Sequence, residues 1–242
     1  KKMRLILFDD QSWDNLLPLT FTRPVSALRI GILTIGEKWE RMLGTASTPL
    51  TREYLREKYP VEPGDDNLLI NSSLLPDRQV TEAIGKLKRG ESLVQGAKLI
   101  SARVGDAAVE MRSSSDPGLS QWIRKGIPYE QELSWVDFPW KVFMLNGQEI
   151  EADFHLLTRD RESAKLDQTV QVIGDGTVFV EEGFSGQAIT LSTHNGPIYL
   201  GRDSEIMEGS VIRGPFALCE GAIVKMAAKI YGPTTLRSEE HT

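Results

Sequence analysis

The sequence predicts two unlike modules in one chain: an α/β domain with a largely parallel sheet, followed by a left-handed parallel β-helix. In the first two-thirds of the 242 residues, short apolar runs alternate with segments that carry helix start and stop signals. From residue 200 to residue 236, an aliphatic residue recurs at every sixth position. We therefore expect the α/β domain at residues 1–160 and the β-helix at residues 169–236, joined through the polar stretch 158–168.

The strands of the first module are predicted from short apolar runs. RLILF at residues 4–8 is followed by two aspartates, and NLLIN at residues 67–71 is similarly apolar, so both are interpreted as buried strands. SLVQGAKLISARV, residues 92–104, has the character of further strand-like segments. The segment ADFHLLT, which contains His155, is also interpreted as a strand, in which the histidine is a packing residue.

The helices of the first module are predicted from their end signals. In TIGEKWERMLG, Thr34 precedes Glu37 by three residues and Gly44 closes the segment. This is a capping box at one end and a glycine stop at the other. Three further helices are expected in TREYLREKY (51–59), DRQVTEAIGKLKRG (77–90) and DPGLSQWIRKG (116–126).

The six-residue repeat has one good structural solution. Small residues stand two positions before most of the repeated aliphatics, and turn formers such as Gly and Pro stand three positions after them. Three short straight sides with tight corners close a triangular coil of about 18 residues, in which the aliphatic side chains point inward and stack. An antiparallel sandwich with regular turns is the alternative. The repeat weakens before residue 200, where STHNGP predicts a turn or a small insertion in one irregular coil. The inward-facing residues are Leu200, Ile206, Ile212, Leu218, Val224, Ile230 and Leu236.

Composition excludes several classes of protein. The net charge is −6 and no stripe of Lys and Arg stands out, so we expect no nucleic-acid partner and no anionic-membrane surface. No apolar run approaches the roughly 20 residues of a membrane span. The single cysteine, Cys219, suits a reducing cytoplasm. The last six residues, 237–242, lack the repeat and back-translate to a sequencing-adapter sequence, so we expect a non-native tail and a natural chain that continues.

Polar residues at the ends of the first two predicted strands are the first candidates for a site. Asp9 and Asp10 follow the first strand, and Asn71, Ser72 and Ser73 end or follow the second. In an open α/β sheet, ligands bind beyond the carboxyl ends of the strands. These residues therefore mark the edge of the sheet at which a ligand is expected.

Several segments resemble bacterial proteins related to the bifunctional N-acetylglucosamine-1-phosphate uridylyltransferase/acetyltransferase. They are NLLPLTFTRPVSALRIGILTIGEKWE, LLINSSLLPD, FMLNGQEIEADFHLLT and the hexapeptide repeats up to residue 236. The specific part is the Thr22-Arg23-Pro24 block with Arg29 and Gly31. The resemblance implies a Rossmann-type nucleotidyltransferase domain in which a sugar-1-phosphate attacks the α-phosphate of a nucleoside triphosphate. Mg²⁺ bridges the phosphates and pyrophosphate leaves, in the synthesis of nucleotide-sugar precursors of the cell envelope.

The resemblance also implies roles for individual residues. At Asp9 and Asp10, however, the sequence departs from the pattern of the family. No glycine-rich loop follows the first strand; DDQSWDN stands there, with carboxylates in place of phosphate-binding amides. Either an aspartate holds a metal that phosphate then joins, or triphosphate binding is weak or absent. The structural alternatives are that Asp9 and Asp10 are solvated loop carboxylates and that both arginines are ion-pair partners within their own domain. Asn71 would then be a loop or cap residue and Asn146 a turn residue. The implied roles are catalysis for Arg23 and Arg29, substrate binding for Asp9, Asn71 and Ser72, and Mg²⁺ binding for Asp10 and Asn146.

Two further functions remain open at the level of sequence. The first module could bind a nucleotide-sugar as a non-catalytic regulator while the β-helix forms a homotrimer. Alternatively, the protein could be a hexapeptide acyltransferase, a class that uses a histidine as general base. No histidine falls within residues 200–236, and His194 lies in a predicted turn. An acyltransferase site would therefore lie in coils that this sequence does not contain.

Overall fold

The computed structural model describes residues 3–105 and 117–238. The chain divides into two compact units, one formed by Lys1–Arg29 with Leu33–Val142 and the other by Ile30–Ile32 with Phe143–Thr242. Among the described residues, no helix has both the length and the apolar character needed to cross a membrane. Residues 239–242 of the expected non-native tail lie outside the described part of the chain.

A six-stranded mixed sheet organises the first unit, with the strand order β2-β1-β3-β5-β4-β6. The β1-β2, β1-β3 and β4-β6 pairs are parallel, whereas β5 runs antiparallel to both β3 and β4. The sheet is therefore less parallel than the sequence predicted. The strands are Arg4–Phe8 (β1), Ser47–Leu50 (β2), Asp66–Asn71 (β3), Ser92–Gln95 (β4), Lys98–Gly105 (β5) and Ile127–Pro128 (β6).

Short helices connect these strands. The α-helices up to residue 144 are Ser12–Asn15 (α1), Ile35–Leu43 (α2), Arg78–Gly85 (α3), Pro117–Arg124 (α4) and Pro139–Met144 (α5), and 3₁₀ helices span Val25–Ala27 and Glu53–Leu55. The capping box of α2 is confirmed, because the Glu37 N–H donates to Thr34 Oγ1 and the Thr34 N–H donates to Glu37 Oε2. Gly44 ends α2 in the left-handed conformation, as predicted.

Two of the predicted helices are shorter than expected. α3 ends at Gly85 rather than at residue 90, and 51–59 contains only the 3₁₀ helix Glu53–Leu55 followed by turns. Strand β2 was missed. Its sequence STPL contains a proline and is half-buried at the edge of the sheet, so it shows neither a continuous apolar run nor alternation. Edge strands of this kind leave a weak signal in the sequence.

Three parallel sheets form a β-helix in the second unit, and their strand orders are β16-β13-β10-β7, β17-β14-β11-β8 and β15-β12-β9. All pairings are parallel, which excludes the antiparallel sandwich. The left-handed winding stays a prediction. The strands are Gln171–Ile173 (β7), Val178–Val180 (β8), Ser185–Gly186 (β9), Thr190–Ser192 (β10), Ile198–Leu200 (β11), Glu205–Ile206 (β12), Val211–Arg213 (β13), Phe216–Leu218 (β14), Ile223–Val224 (β15), Lys229–Ile230 (β16) and Thr234–Leu236 (β17).

Three six-residue repeats of the sequence make up one coil of the β-helix. Ile198 pairs with Phe216 and Phe216 with Thr234, 18 residues further on each time. The predicted inward aliphatics from residue 200 to residue 224 are all at most 3% exposed. Leu191 pairs with Ile212, 21 residues further on, so the irregular coil lies where STHNGP predicted an insertion.

The segment from residue 143 to residue 158, which the sequence placed in the first domain, belongs to the second unit. It forms a helix, Asn146–Thr158 (α6), which contacts β14 and β17. Ile150, Phe154 and Leu157 are buried on one face, at the i, i+4, i+7 spacing of a helix. The strand predicted for ADFHLLT was therefore wrong, and Asn146 begins a helix instead of lying in a turn.

The short strip Ile30–Ile32 also packs into the second unit, and Gly31 explains how. Its N–H donates to Asn146 Oδ1 at 2.8 Å, and the Ile32 N–H donates to Asp153 Oδ2 at 2.8 Å. Gly31 has φ +80°, and a Cβ there would lie 2.5 Å from Asp153 Oδ2 and 2.6 Å from the backbone of Glu149. Only glycine permits this close approach to α6.

Candidate functional site

The carboxyl ends of β1 and β3 meet at one edge of the first unit's sheet. These strands pair in parallel, with Phe8 opposite Asn71. Because β5 runs antiparallel to β3, its first residue, Lys98, is delivered to the same edge. Polar side chains from three strands therefore gather there, and we call Asp10, Ser12, Asn71, Ser73 and Lys98 the strand-end cluster.

Asp9 lies under this edge and is a structural carboxyl group. It is 6% exposed; its Oδ1 accepts from the Val25 N–H at 3.1 Å and its Oδ2 from the Thr51 hydroxyl at 2.6 Å. Burial raises the pKa of Asp9 to about 7, although both hydrogen bonds and the charge of Arg52 oppose the rise. Asp9 thus ties the end of β1 to the loop that carries Arg23, and it is not exposed to a ligand.

Asn71 orients Asp10 rather than facing a ligand itself. Its amide nitrogen donates to Asp10 Oδ2 at 2.8 Å and to the Leu99 carbonyl at 3.1 Å. Its amide oxygen accepts from the N–H and the hydroxyl of Ser73, at 3.0 and 2.8 Å. The Ser12 N–H donates to Asp10 Oδ1 at 2.8 Å. Asp10 is therefore fixed from both sides, while the hydrogen-bonding capacity of Asn71 is used within the cluster.

Ser72 contributes its backbone more than its side chain. Its N–H donates to the Phe8 carbonyl at 2.9 Å, which continues the β1-β3 ladder. Its hydroxyl oxygen is buried and has no hydrogen bond within the described part of the chain. The hydroxyl still lies close enough to Asp9 to favour the ionised carboxylate. Ser72 is thus a buried neighbour of Asp9.

Lys98 is the member of the cluster that the sequence did not single out. Its Nζ lies 3.4 Å from Ser12 Oγ, 3.7 Å from Asp137 Oδ2 and 3.9 Å from the centre of the Trp135 ring. Burial lowers the pKa of Lys98, and the charges of Asp10 and Asp137 partly offset this. The sequence did contain a signal for the position of Lys98. Gly96-Ala97 is a two-residue hairpin connection, which makes β5 antiparallel to β4 and places Lys98, the first residue of β5, beside the end of β4.

The segment that carries Trp135 and Asp137 is held across the end of β3 by its backbone. The Val136 N–H donates to the Ser73 carbonyl at 2.7 Å, and the Leu75 N–H to the Ser134 carbonyl at 3.0 Å. The Trp135 indole N–H donates to Gln95 Oε1 at 3.1 Å. Asp137 Oδ1 is buried without a hydrogen-bond partner among the described residues. A buried carboxylate oxygen in this state is a vacant acceptor.

Arg23 offers a cation in the same unit. Its N–H donates to the Thr20 carbonyl at 3.1 Å, and its carbonyl accepts from the Trp13 indole N–H at 3.3 Å, so the backbone is fixed next to α1. The residue is half-buried. Within residues 3–105 and 117–238, its guanidinium group has no ion pair and no hydrogen bond. An arginine held this way is suited to an anion.

Arg29 has a different environment. It bridges to Thr34 through its backbone, and its Nη1 lies 3.5 Å from Glu37 Oε2, beside the capping box of α2. These contacts match the structural alternative for this residue.

Asp10 is the candidate residue that fits a magnesium ion. No cluster of three or more His, Cys, Asp and Glu side chains suited to a metal occurs among the described residues. Mg²⁺ is, however, commonly bound by one or two carboxylates together with substrate phosphates. Each Asp10 oxygen accepts one hydrogen bond and keeps a free lone pair. Asn146 does not fit, because its oxygen already accepts from Gly31 and lies 3.3 Å from the Thr235 hydroxyl in the second unit.

Comparison with known proteins identifies the family to which the sequence of the first unit belongs. The family model described as sugar nucleotidyl transferase matches residues 5–162, which include every residue of the strand-end cluster and both arginines. A search of curated proteins finds no match to the chain. Since the match spans more than half of the chain, this protein belongs to the sugar nucleotidyl transferase family.

Proposed function

We propose that this protein transfers a nucleotidyl group from a nucleoside triphosphate to a sugar-1-phosphate at the strand-end cluster. The observation that carries the proposal is the meeting of Asp10 and Lys98 at the carboxyl ends of β1 and β3, in a member of this family. Open α/β sheets bind ligands at such an edge. The unpaired Arg23 supplies a further cation for phosphate.

The reaction needs charge neutralisation and positioning. A phosphate oxygen of the sugar-1-phosphate forms a bond to the α-phosphorus, the bond from that phosphorus to the β-phosphate oxygen breaks, and its electron pair leaves with pyrophosphate. Arg23 donates hydrogen bonds to the phosphate oxygens, where charge builds up. Asp10, oriented by Asn71 and the Ser12 N–H, would hold the magnesium ion. When bound, that ion supplies Lewis-acid neutralisation of the phosphates.

Non-catalytic nucleotide-sugar binding is the second candidate, and a specific feature favours it. DDQSWDN replaces a glycine-rich loop after β1, so backbone amides for a triphosphate are missing there. Such a protein would bind a nucleotide-sugar without turning over a triphosphate. The acyltransferase alternative has no support from the β-helix, because residues 200–236 contain no histidine.

The test is pyrophosphate release from full-length protein incubated with each nucleoside triphosphate, Mg²⁺ and a panel of sugar-1-phosphates. We expect turnover, and we expect Arg23→Ala to reduce kcat/KM about 100-fold, the usual size of losing one charged contact to a transition state. Arg41→Ala, on the surface of α2, is the matched control and should retain full activity. Nucleotide-sugar binding without turnover by the wild type would instead establish the regulatory function.

The homotrimer expected for the β-helix also remains a proposal. The support for it is that several apolar side chains of the β-helix are exposed, among them Ile223 at 49% and Val211 at 38%. Sedimentation equilibrium of the full chain would decide whether the protein is a trimer or a monomer.

A further inference from the structure

We propose that Lys98 is a phosphate-binding group of the strand-end cluster and that Asp137 is its internal competitor, which an incoming phosphate displaces. The proposed reaction locates Lys98 at the site but assigns its ammonium group no contact with substrate, and it gives Asp137 no role. The inference rests on the proposed function only in placing phosphorylated substrates at this edge of the sheet.

The contacts of Lys98 leave its ammonium group available. Its Nζ lies 3.4 Å from Ser12 Oγ and 3.7 Å from Asp137 Oδ2. Both distances exceed the 2.7–2.9 Å that is typical of a charge-assisted hydrogen bond. An ammonium group carries three donors, and none of these contacts satisfies one at full strength. The centre of the Trp135 ring lies 3.9 Å from Lys98 Nζ, so the ring stabilises the positive charge through a cation–π interaction without accepting a strong hydrogen bond.

Asp137 lies where it can compete for that ammonium group, but its position does not depend on the contact with Lys98. Its Oδ2 faces Lys98, whereas its Oδ1 is buried without a partner in the described part of the chain. The backbone around it is fixed independently, since Val136 donates to the Ser73 carbonyl and the Trp135 indole donates to Gln95. Releasing Lys98 therefore does not unravel the segment.

Charge favours the exchange once a phosphate arrives. A phosphate group brings up to two negative charges and three acceptor oxygens, whereas Asp137 brings one charge at 3.7 Å. Asp10 also attracts Lys98, so two carboxylates, Asp10 and Asp137, face one ammonium group in the free protein, and their charge opposes the binding of an anion. Removing the Asp137 charge should therefore raise affinity for phosphate, the opposite of what a ligand-binding residue would do.

The test is isothermal titration calorimetry of the full chain at mildly acidic pH with two probes, inorganic pyrophosphate and glucose 1-phosphate. We expect Asp137→Asn to bind on the order of tenfold more tightly than the wild type, since one like charge near the anion is removed. Lys98→Met should lose binding, Lys98→Arg should retain it, and the double variant Lys98→Met with Asp137→Asn should show no gain. Glu132→Gln, an exposed carboxylate in the same unit, controls for net charge and should bind like the wild type.

The outcomes separate this inference from the proposed function. A gain with pyrophosphate alone assigns Lys98 to the nucleotide phosphates, and a gain with glucose 1-phosphate alone assigns it to the sugar phosphate. Weaker binding by Asp137→Asn would make the carboxylate a ligand-binding group and overturn the competitor role, and so would a gain that persists in the double variant. Tighter binding by a protein that releases no pyrophosphate would support the inference while contradicting nucleotidyl transfer.

Discussion

Asp9 shows how a residue that looks like a ligand can serve the fold instead. Its carboxyl group is 6% exposed and bonded to Val25 and Thr51, in the place where a phosphate-binding loop would begin. The sequence correctly placed Asp9 and Asp10 at a strand end. It could not show that Asp9 is buried in the fold while Asp10 belongs to the strand-end cluster. That distinction depends on Thr51, which is 42 residues away in the sequence.

The raised pKa of Asp9 predicts a pH dependence of stability. Because burial raises the pKa from 3.8 to about 7, the folded state holds a proton between these pH values that the unfolded state has lost. The associated stability is full below about pH 4 and is lost as the pH rises through 7, a change on the order of 4 kcal/mol. Asp9→Asn stays neutral, so its free energy of unfolding relative to the wild type should increase from pH 4 to pH 8.

Urea denaturation at a series of pH values, in buffer with a metal chelator, measures this change. The exposed Glu57→Gln is the matched control, and its free energy of unfolding should follow that of the wild type across the range. If the curve for Asp9→Asn also ran parallel to the wild type, Asp9 would be ionised in the folded protein with an ordinary pKa.

At the scale of elements, local signals predicted what local interactions determine. The ends of α2 followed from local signals: Thr34 and Glu37, three residues apart, bond each other at its start, and the Gly44 N–H donates to the Glu40 carbonyl at its end. The antiparallel direction of β5 and the site residue Lys98 depend instead on a hairpin at Gly96, whose signal was present but not used. Asp137 reaches the cluster only through tertiary pairing with the end of β3, for which the sequence gives no local sign.

Gly31 links a motif of the sequence to the packing of one element, α6. Gly31→Ala should destabilise the protein by more than about 2 kcal/mol, because it adds a collision with Asp153 and Glu149 to the strain of a positive φ. Gly209→Ala is the control. Gly209 also has a positive φ, +73°, but a Cβ there would meet nothing closer than 3.8 Å. Chemical denaturation of both variants would show the difference, and equal losses would mean that the close approach to α6 is not tight.

At the scale of the whole molecule, the two units have separate hydrophobic cores. Buried aliphatics such as Ile6 and Leu69 pack in the sheet of the first unit, and Ile212 and Leu218 pack inside the β-helix. The repeat predicted the second core residue by residue, because every coil repeats one local rule. The first core is built from strands far apart in sequence, so its membership was predicted but its strand order was not.

Separate cores predict that a cavity in one should leave the other intact. Ile212 is fully buried in β13 between Leu191 and Ile230, so Ile212→Ala should cost about 2–5 kcal/mol of β-helix stability. All five tryptophans of the chain lie in the first unit, so their fluorescence reports the unfolding of that unit alone. We expect Ile212→Ala to lower the midpoint of the calorimetric transition of the β-helix and to leave the fluorescence midpoint unchanged.

The matched variant is Leu69→Ala, which creates a cavity of similar size in the core of the first unit, where Leu69 is fully buried. It should show the reverse pattern, a lower fluorescence midpoint with an unchanged β-helix transition. Both variants are compared with the wild type in the same scanning calorimetry and fluorescence melts. Since a single cooperative domain unfolds all at once, equal shifts of both signals in either variant would contradict independent cores. The chain would then have to be treated as one folding unit, whatever the difference between its two sequence patterns.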